Sequence, residues 1–213
     1  MPPRLPIGSR RLAPLAVLAL LGVAAYALWP GGRGPRLPDD PGRRTVVFLG
    51  DSITSGHGLP LEVAFPHRLG AALGVPVRNA GISGDRTEGG VARLQDDVLA
   101  HRPRLVVVEL GVNDIFGRVP RERTVENLRT IARRVRTAGA GVLLVHVRLP
   151  GVLGDGYRQD LREIARSEGA WLLEDFLEDV VPGLTTDGLH PNAEGHARLA
   201  TRLEPVLRDV LAR

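Results

Sequence analysis

Thr45-Val46-Val47-Phe48-Leu49-Gly50-Asp51-Ser52 opens the regular part of this chain. A run of β-branched, aromatic and aliphatic residues closed by glycine reads as a buried strand. The strand ends on a small residue, a carboxylate and a hydroxyl. In an open parallel sheet, ligands bind outside the carboxyl ends of the strands, which puts Ser52 where chemistry is done. Alone, a serine after a strand is more often a turn residue or a helix cap than a nucleophile. Other segments must therefore supply a base, an orienting acid and donors for an oxyanion.

Working outward from Arg44, strand and helix patterns alternate. After the strand Thr45–Leu49 comes a loop, Ile53 to Val63, and a helix near Phe65–Leu73. Val75–Asn79 reads as a short strand that Pro76 confines to a sheet edge, followed by the glycine-broken loop Ala80–Asp85. Val91, Leu94 and Val98 stand at helical spacing behind Thr87, a candidate N-cap. Arg104–Leu110 and Gly141–Val147 are strands separated by a helix over Thr124–Thr137 with Val125, Leu128, Ile131 and Val135 on one face. Helix Asp155–Ser167, strand Ala170–Glu174 and helix Ala193–Leu211 complete the series. The alternation implies an α/β fold: a three-layer α/β/α sandwich on a mainly parallel five-stranded sheet, flavodoxin-like in strand order.

The length of 213 residues suits one such domain with a short appendage. All 28 basic residues are Arg. Residues 1–43 hold six Arg and two Asp, the whole net charge of +4, and the rest of the chain has as many acids as bases. A neutral domain lacks the electrostatic footprint of phosphate-backbone binding, so nucleic acid is not an expected partner. The absence of Cys excludes disulfides, thiolate catalysis and Cys metal sites. Arg4, Arg10 and Arg11 precede an uncharged apolar run, Leu12 to Trp29. Residues 1–29 thus read as a signal peptide with a small-x-small site ending at Ala27, or as a membrane anchor with Trp29 at the interface. In both cases the expected location is outside the cytoplasm: periplasmic, secreted, or membrane-associated through that segment. Residues 30–43, rich in Pro and Gly, read as a linker, and 44–213 as the domain.

Four segments converge on one rim of such a sheet. Strand one delivers Ser52, the loop after strand two Gly84, strand three Asn113, and the loop before the last helix Asp187-Gly188-Leu189-His190. Serine Oγ needs a neutral imidazole to take its proton. His190 serves if a carboxylate fixes its other nitrogen, and Asp187 is close enough in sequence to fold back and do so. Attack on an acyl carbonyl creates an oxyanion, for which the Ser52 N–H, the Gly84 N–H and the Asn113 amide are candidate donors. Gly84 is explained either by close approach of substrate or by a positive φ. His57, in the loop after Ser52, is a candidate for the cleft wall. His67 and His196 read as surface or packing residues, His101 as a helix-end cation, and His146 as a core imidazole. Glu109, inside an apolar strand, needs a hydrogen-bond partner. No His/Asp/Glu spacing suggests a metal and no phosphate-cradling glycine loop is present, so neither metal nor cofactor is expected. The expected partner is a small-molecule acyl ester or thioester, and the expected state a monomer.

These blocks, Gly50-Asp51-Ser52-Ile53, the Gly84 loop, Gly111-Val112-Asn113-Asp114 and Asp187-Gly188-Leu189-His190-Pro191, resemble those of the GDSL, or SGNH, hydrolase superfamily. The likeness is closest to its bacterial thioesterase/lysophospholipase/arylesterase branch. It implies a serine esterase cleaving lysophospholipids, acyl esters, acyl thioesters or aryl esters through an acyl-enzyme on Ser52. A carbohydrate O-acetylesterase of the same superfamily, or a non-catalytic exported binding domain, is the alternative. Ile53 replaces the usual Leu, and Val112 and Ile115 stand where that branch often has Gly. The last two border the acyl cleft by resemblance, so they join His57 as expected substrate contacts.

Overall fold

A computed structural model describes residues 35–148 and 155–213. Among the described residues there are five strands, β1 (Val46–Gly50), β2 (Val77–Gly81), β3 (Leu105–Glu109), β4 (Gly141–Val145) and β5 (Trp171–Leu173), of which β2, Val-Arg-Asn-Ala-Gly, is the one that is not an apolar run. They pair in the order β2-β1-β3-β4-β5, every pair parallel. Seven α-helices among the described residues accompany them: α1 (Ser52–Ser55), α2 (Phe65–Leu73), α3 (Thr87–Arg93), α4 (Val112–Phe116), α5 (Arg121–Thr137), α6 (Asp155–Glu168) and α7 (Ala193–Leu211).

β1, β3 and β4 are buried along their whole length, because helices cover both sheet faces. That is why their sequences are unbroken apolar runs. Val46, Phe48, Val107 and Leu143 pack with Phe65 and Leu69 of α2 and Leu199 and Leu203 of α7. Val47, Leu49, Val106 and Leu144 pack with Leu128 and Ile131 of α5 and Leu161 and Ile164 of α6. Each such side chain stabilises the fold by about 1.5–3 kcal/mol through its removal from water. Strand order reverses between β1 and β3. Ser52 and Asn113 follow these two strands, so both stand at the topological switch point where ligands bind.

The expected three-layer sandwich and its strand order are those observed, with local differences. Residues 52–55 form a helical turn instead of a loop. Asp51 caps it by accepting the Ile53 N–H (2.9 Å), and Gly56 closes it in the left-handed region. β2 begins at Val77, two residues late. The Val75 N–H closes α2 on the Gly70 carbonyl, and Pro76, lacking a donor, offers only its carbonyl to Val46 N–H (2.9 Å). β2 is an edge strand, as Pro76 suggested. α5 begins at Arg121, three residues early, through a polar first turn that carries no apolar signal. His146 stands just past β4 instead of inside it.

Packing begins inside the stretch read as a linker. Leu37 is buried over Gly141, where a β-carbon would collide with it. Arg43 donates to the carbonyls of Ala138 (2.7 Å) and Pro103 (3.1 Å). The expected signal or anchor segment and the first residues of the linker lie outside the described residues. Among the described residues no helix is long and apolar enough to cross a membrane.

Candidate active site

The turn before α7 assembles itself. Asp187 Oδ1 accepts the N–H of Leu189 (3.0 Å) and of His190 (2.8 Å), and Gly188 takes the left-handed conformation between them. This aims Oδ2 at His190 Nδ1, 2.6 Å away. The His190 side chain and the two backbone N–H groups hold the Asp187 carboxyl well below the usual carboxylate range. A carboxylate only accepts, so the imidazole hydrogen sits on Nδ1 and the lone pair on Nε2. Nε2 lies 3.0 Å from Ser52 Oγ, which can therefore lose its proton to the ring.

Three donors face the same space. Among the described residues, neither the Ser52 N–H nor the Gly84 N–H has a protein acceptor. Gly84 has φ +78° with nothing within 4 Å of a β-carbon added there, so its positive φ, not crowding by the protein, calls for glycine. Asn113 Nδ2 donates to Asp51 Oδ2 (3.1 Å) and to the Asp85 carbonyl (2.9 Å). Both partners are acceptors, which fixes the orientation of the amide.

Beneath Ser52 the support is polar and buried. The Thr54 hydroxyl donates to Glu109 Oε2 (2.7 Å), and Gly50 is required because a β-carbon there would strike Thr54. Burial pushes the Asp51 carboxyl up to about 6, against the lowering effect of the Ile53 N–H and of the Glu109 contact. Burial first, and the neighbouring Asp51 charge second, push Glu109 well above the carboxylate range. Arg93 bonds to Gly50 O (3.1 Å), Ala80 O (2.7 Å) and Asp85 Oδ2 (2.7 Å), tying the ends of β1 and β2 to the Gly84 loop. Asp114 is no mere turn residue. It accepts from the Thr87 N–H, the Thr87 hydroxyl and the Thr124 hydroxyl, so Thr87 starts α3 without acting as its cap.

A cleft of about 360 Å³ lies over this arrangement, lined by Asp51, Ser52, Ile53, His57, Ser83, Gly84, Val112, Asn113, Leu189 and His190. Of the three residues read as substrate contacts, His57 and Val112 line the cleft and Ile115 does not. Ile115 is half-buried three residues further along α4, a rise of about 4.5 Å from Val112. Ile53, Ser83 and Leu189 were not anticipated, although each adjoins or lies between residues that were. The His57 ring lies 4.7 Å from the His190 ring, and its Nδ1 is 3.0 Å from Ser83 Oγ. Two other imidazoles are buried and support the fold. His196 Nδ1 accepts the Phe65 N–H (3.2 Å), and buried His146 lies 3.4 Å from the Asp175 nitrogen. Among the described residues no group of three or more His, Asp or Glu is placed to hold a metal ion.

Residues 48–198 match the GDSL-like Lipase/Acylhydrolase family. The chain is 34% identical over 167 residues to an arylesterase of Vibrio mimicus, covering 73% of this chain and 84% of that one. It is 34% identical over 176 residues to thioesterase 1/protease 1/lysophospholipase L1 of Escherichia coli (strain K12), covering 78% and 85%. A crystal structure of TesA superposes with a TM-score of 0.72 at 34% identity, over 78% of this chain and 99% of that one.

Proposed function

This chain belongs to the GDSL-like lipase/acylhydrolase family, and from that premise we propose that it hydrolyses carboxylic ester or thioester bonds through an acyl-enzyme on Ser52. The observation that carries the reading is the line Asp187–His190–Ser52, with spacings of 2.6 and 3.0 Å, beside two backbone N–H groups that have no protein acceptor among the described residues.

The Ser52 proton passes to His190 Nε2 as Oγ attacks the acyl carbonyl. Asp187 keeps the ring in the productive tautomer and stabilises the imidazolium that results. The carbonyl oxygen becomes an oxyanion held by the Ser52 N–H, the Gly84 N–H and the Asn113 amide. His190 then protonates the leaving alcohol or thiol. Water, deprotonated by the same ring, releases the acid. The apolar part of the cleft, Ile53, Val112 and Leu189, suits an aliphatic or aryl acyl group. Names of the relatives support the same substrate range, aryl esters, acyl thioesters and lysophospholipids. The N-terminal apolar segment supports action outside the cytoplasm, anchored or released.

The test is turnover of p-nitrophenyl butyrate, a medium-chain acyl thioester, a lysophospholipid and an acetylated sugar by wild type and Ser52→Ala. We expect the first three to be cleaved and kcat to fall roughly 10⁶-fold in the variant. Equal rates for the two proteins would end the reading, and a preference for the acetylated sugar would redirect it to carbohydrate deacetylation.

A further inference from the structure

Below the nucleophile lie two buried carboxyl groups for which acyl transfer has no direct use. Asp51 and Glu109 are each 1% exposed. They stand at the ends of adjacent strands, where Gly50, the residue before Asp51, is opposite Glu109, so the two carboxyl groups are close neighbours and each shifts the other's titration. Asp51 Oδ1 accepts the Ile53 N–H, and Oδ2 accepts from Asn113. Glu109 Oε2 accepts from Thr54, while Oε1 is buried with no partner. Among the described residues neither carboxyl takes part in an ion pair. Arg93, which reaches the Gly50 carbonyl, is paired with Asp85 and Asp97.

Two neighbouring buried carboxylates that no basic side chain among the described residues pairs with do not both ionise; one proton stays with the pair. Within the pair, Glu109 Oε1 is the oxygen without a hydrogen-bond partner among the described residues, and the lowering effects of the Thr54 hydroxyl and the Asp51 N–H on Glu109 are outweighed by its burial. We propose that Glu109 is un-ionised in the working enzyme, donates from Oε1 to Asp51, and with it forms a positioning unit for the Asn113 amide. The proposal rests on the roles given above to Ser52 and Asn113.

The reason lies in the hydrogens of Asn113. Nδ2 has two, and they point at Asp51 Oδ2 and the Asp85 carbonyl. To hold an oxyanion, the hydrogen on Asp51 must be shared in a three-centre bond. A fully charged Asp51 would grip that hydrogen in a charge-assisted bond and repel the oxyanion at the same time. A second ionised carboxylate beneath it would add to the repulsion. A hydrogen bond from Glu109 draws charge off Asp51. Asp51 then still orients the amide but competes less for its hydrogen.

The direct test is infrared spectroscopy of the whole protein at pH 7. The wild type is expected to show the carbonyl stretch of an un-ionised carboxyl, shifted in D₂O and absent from Glu109→Gln. Labelling the wild type with ¹³C-glutamate makes the same assignment without a variant, because the band moves only if a glutamate carries the proton. No band, a band that survives in Glu109→Gln, or one that ignores the label would overturn the proposal. Kinetics on p-nitrophenyl butyrate give the functional half. Glu109→Gln keeps a donor and should stay within about 3-fold of wild-type kcat. Glu109→Leu keeps none and should lose roughly 10²-fold in kcat with KM within about twofold, as expected for a displaced oxyanion donor. A Gln variant as impaired as Leu contradicts the proposal. A wild type that shows the band but no esterase activity would instead strike the assignment of Ser52, and so separates the two.

Discussion

The acid–base end of the site, Asp187 to His190, is built almost wholly within itself, whereas the end beneath Ser52 is built by segments far apart in sequence. In the first, one carboxylate organises its own turn through the N–H groups two and three residues on, and its side chain remains 52% exposed. In the second, Asp51, Thr54, Glu109 and Asn113 meet only because β1 and β3 are neighbours in register. Short-range hydrogen bonds let a catalytic turn stand in water. A charged or polar cluster under a nucleophile needs the sheet to hold it and accepts a desolvation cost in return.

Mutations should separate the two ends. The largest loss belongs to the exposed turn, because it supplies the proton transfer: His190→Ala should lower kcat by ~10⁶-fold, and Asp187→Ala, where water can replace part of the carboxylate, by nearer ~10⁴-fold. Both proteins should keep the wild-type thermal midpoint. A large drop in melting temperature for either would show that the turn supports the fold as well. At the buried end, Asn113→Ala should lower kcat by ~10²–10³-fold with little change in KM, measured on p-nitrophenyl butyrate. An effect confined to KM would make Asn113 a ground-state contact. Arg93→Met, which leaves Asp85 and two carbonyls without their donor, should cost about 2–4 kcal/mol in urea unfolding. An unchanged midpoint would detach the Gly84 loop from that clamp.

The smallest effect concerns pH and lies away from the site. Burial first, and the charge of Arg68 second, lower the His196 imidazole to about 4. The unfolded chain takes up that proton near pH 6.5, so stability is full above 6.5 and declines as pH falls towards 4. Chemical denaturation should show a decline of about 1–3 kcal/mol over that window, removed in His196→Gln. An identical decline in the variant would assign it to other groups.

Much of this is legible in the sequence. β1, β3 and β4 were visible because burial on both faces demands unbroken apolar runs. Asp187 and His190 were visible because a three-residue spacing with glycine inside it can close locally. What escaped was what depends on distant partners. The turn Ser52–Ser55 has no periodicity and is held by Asp51 below it and by Thr54 on Glu109. Thr87 has the composition of a cap, but its hydroxyl belongs to Asp114, 27 residues away. Arg93 looks like any helix-surface cation until β1, β2 and the Gly84 loop are seen around it. Ile115 was placed in the cleft by resemblance, but it is half-buried on α4 and is not among the residues that line the cleft.

Active-site labelling with a fluorophosphonate probe, followed by peptide mapping, asks the central question most directly. A nucleophilic Ser52 with His190 as its base predicts one modified peptide, bearing the adduct on Ser52. Labelling should vanish in Ser52→Ala and slow by orders of magnitude in His190→Ala. Folded protein that stays unlabelled, or an adduct on any other residue, would contradict the account.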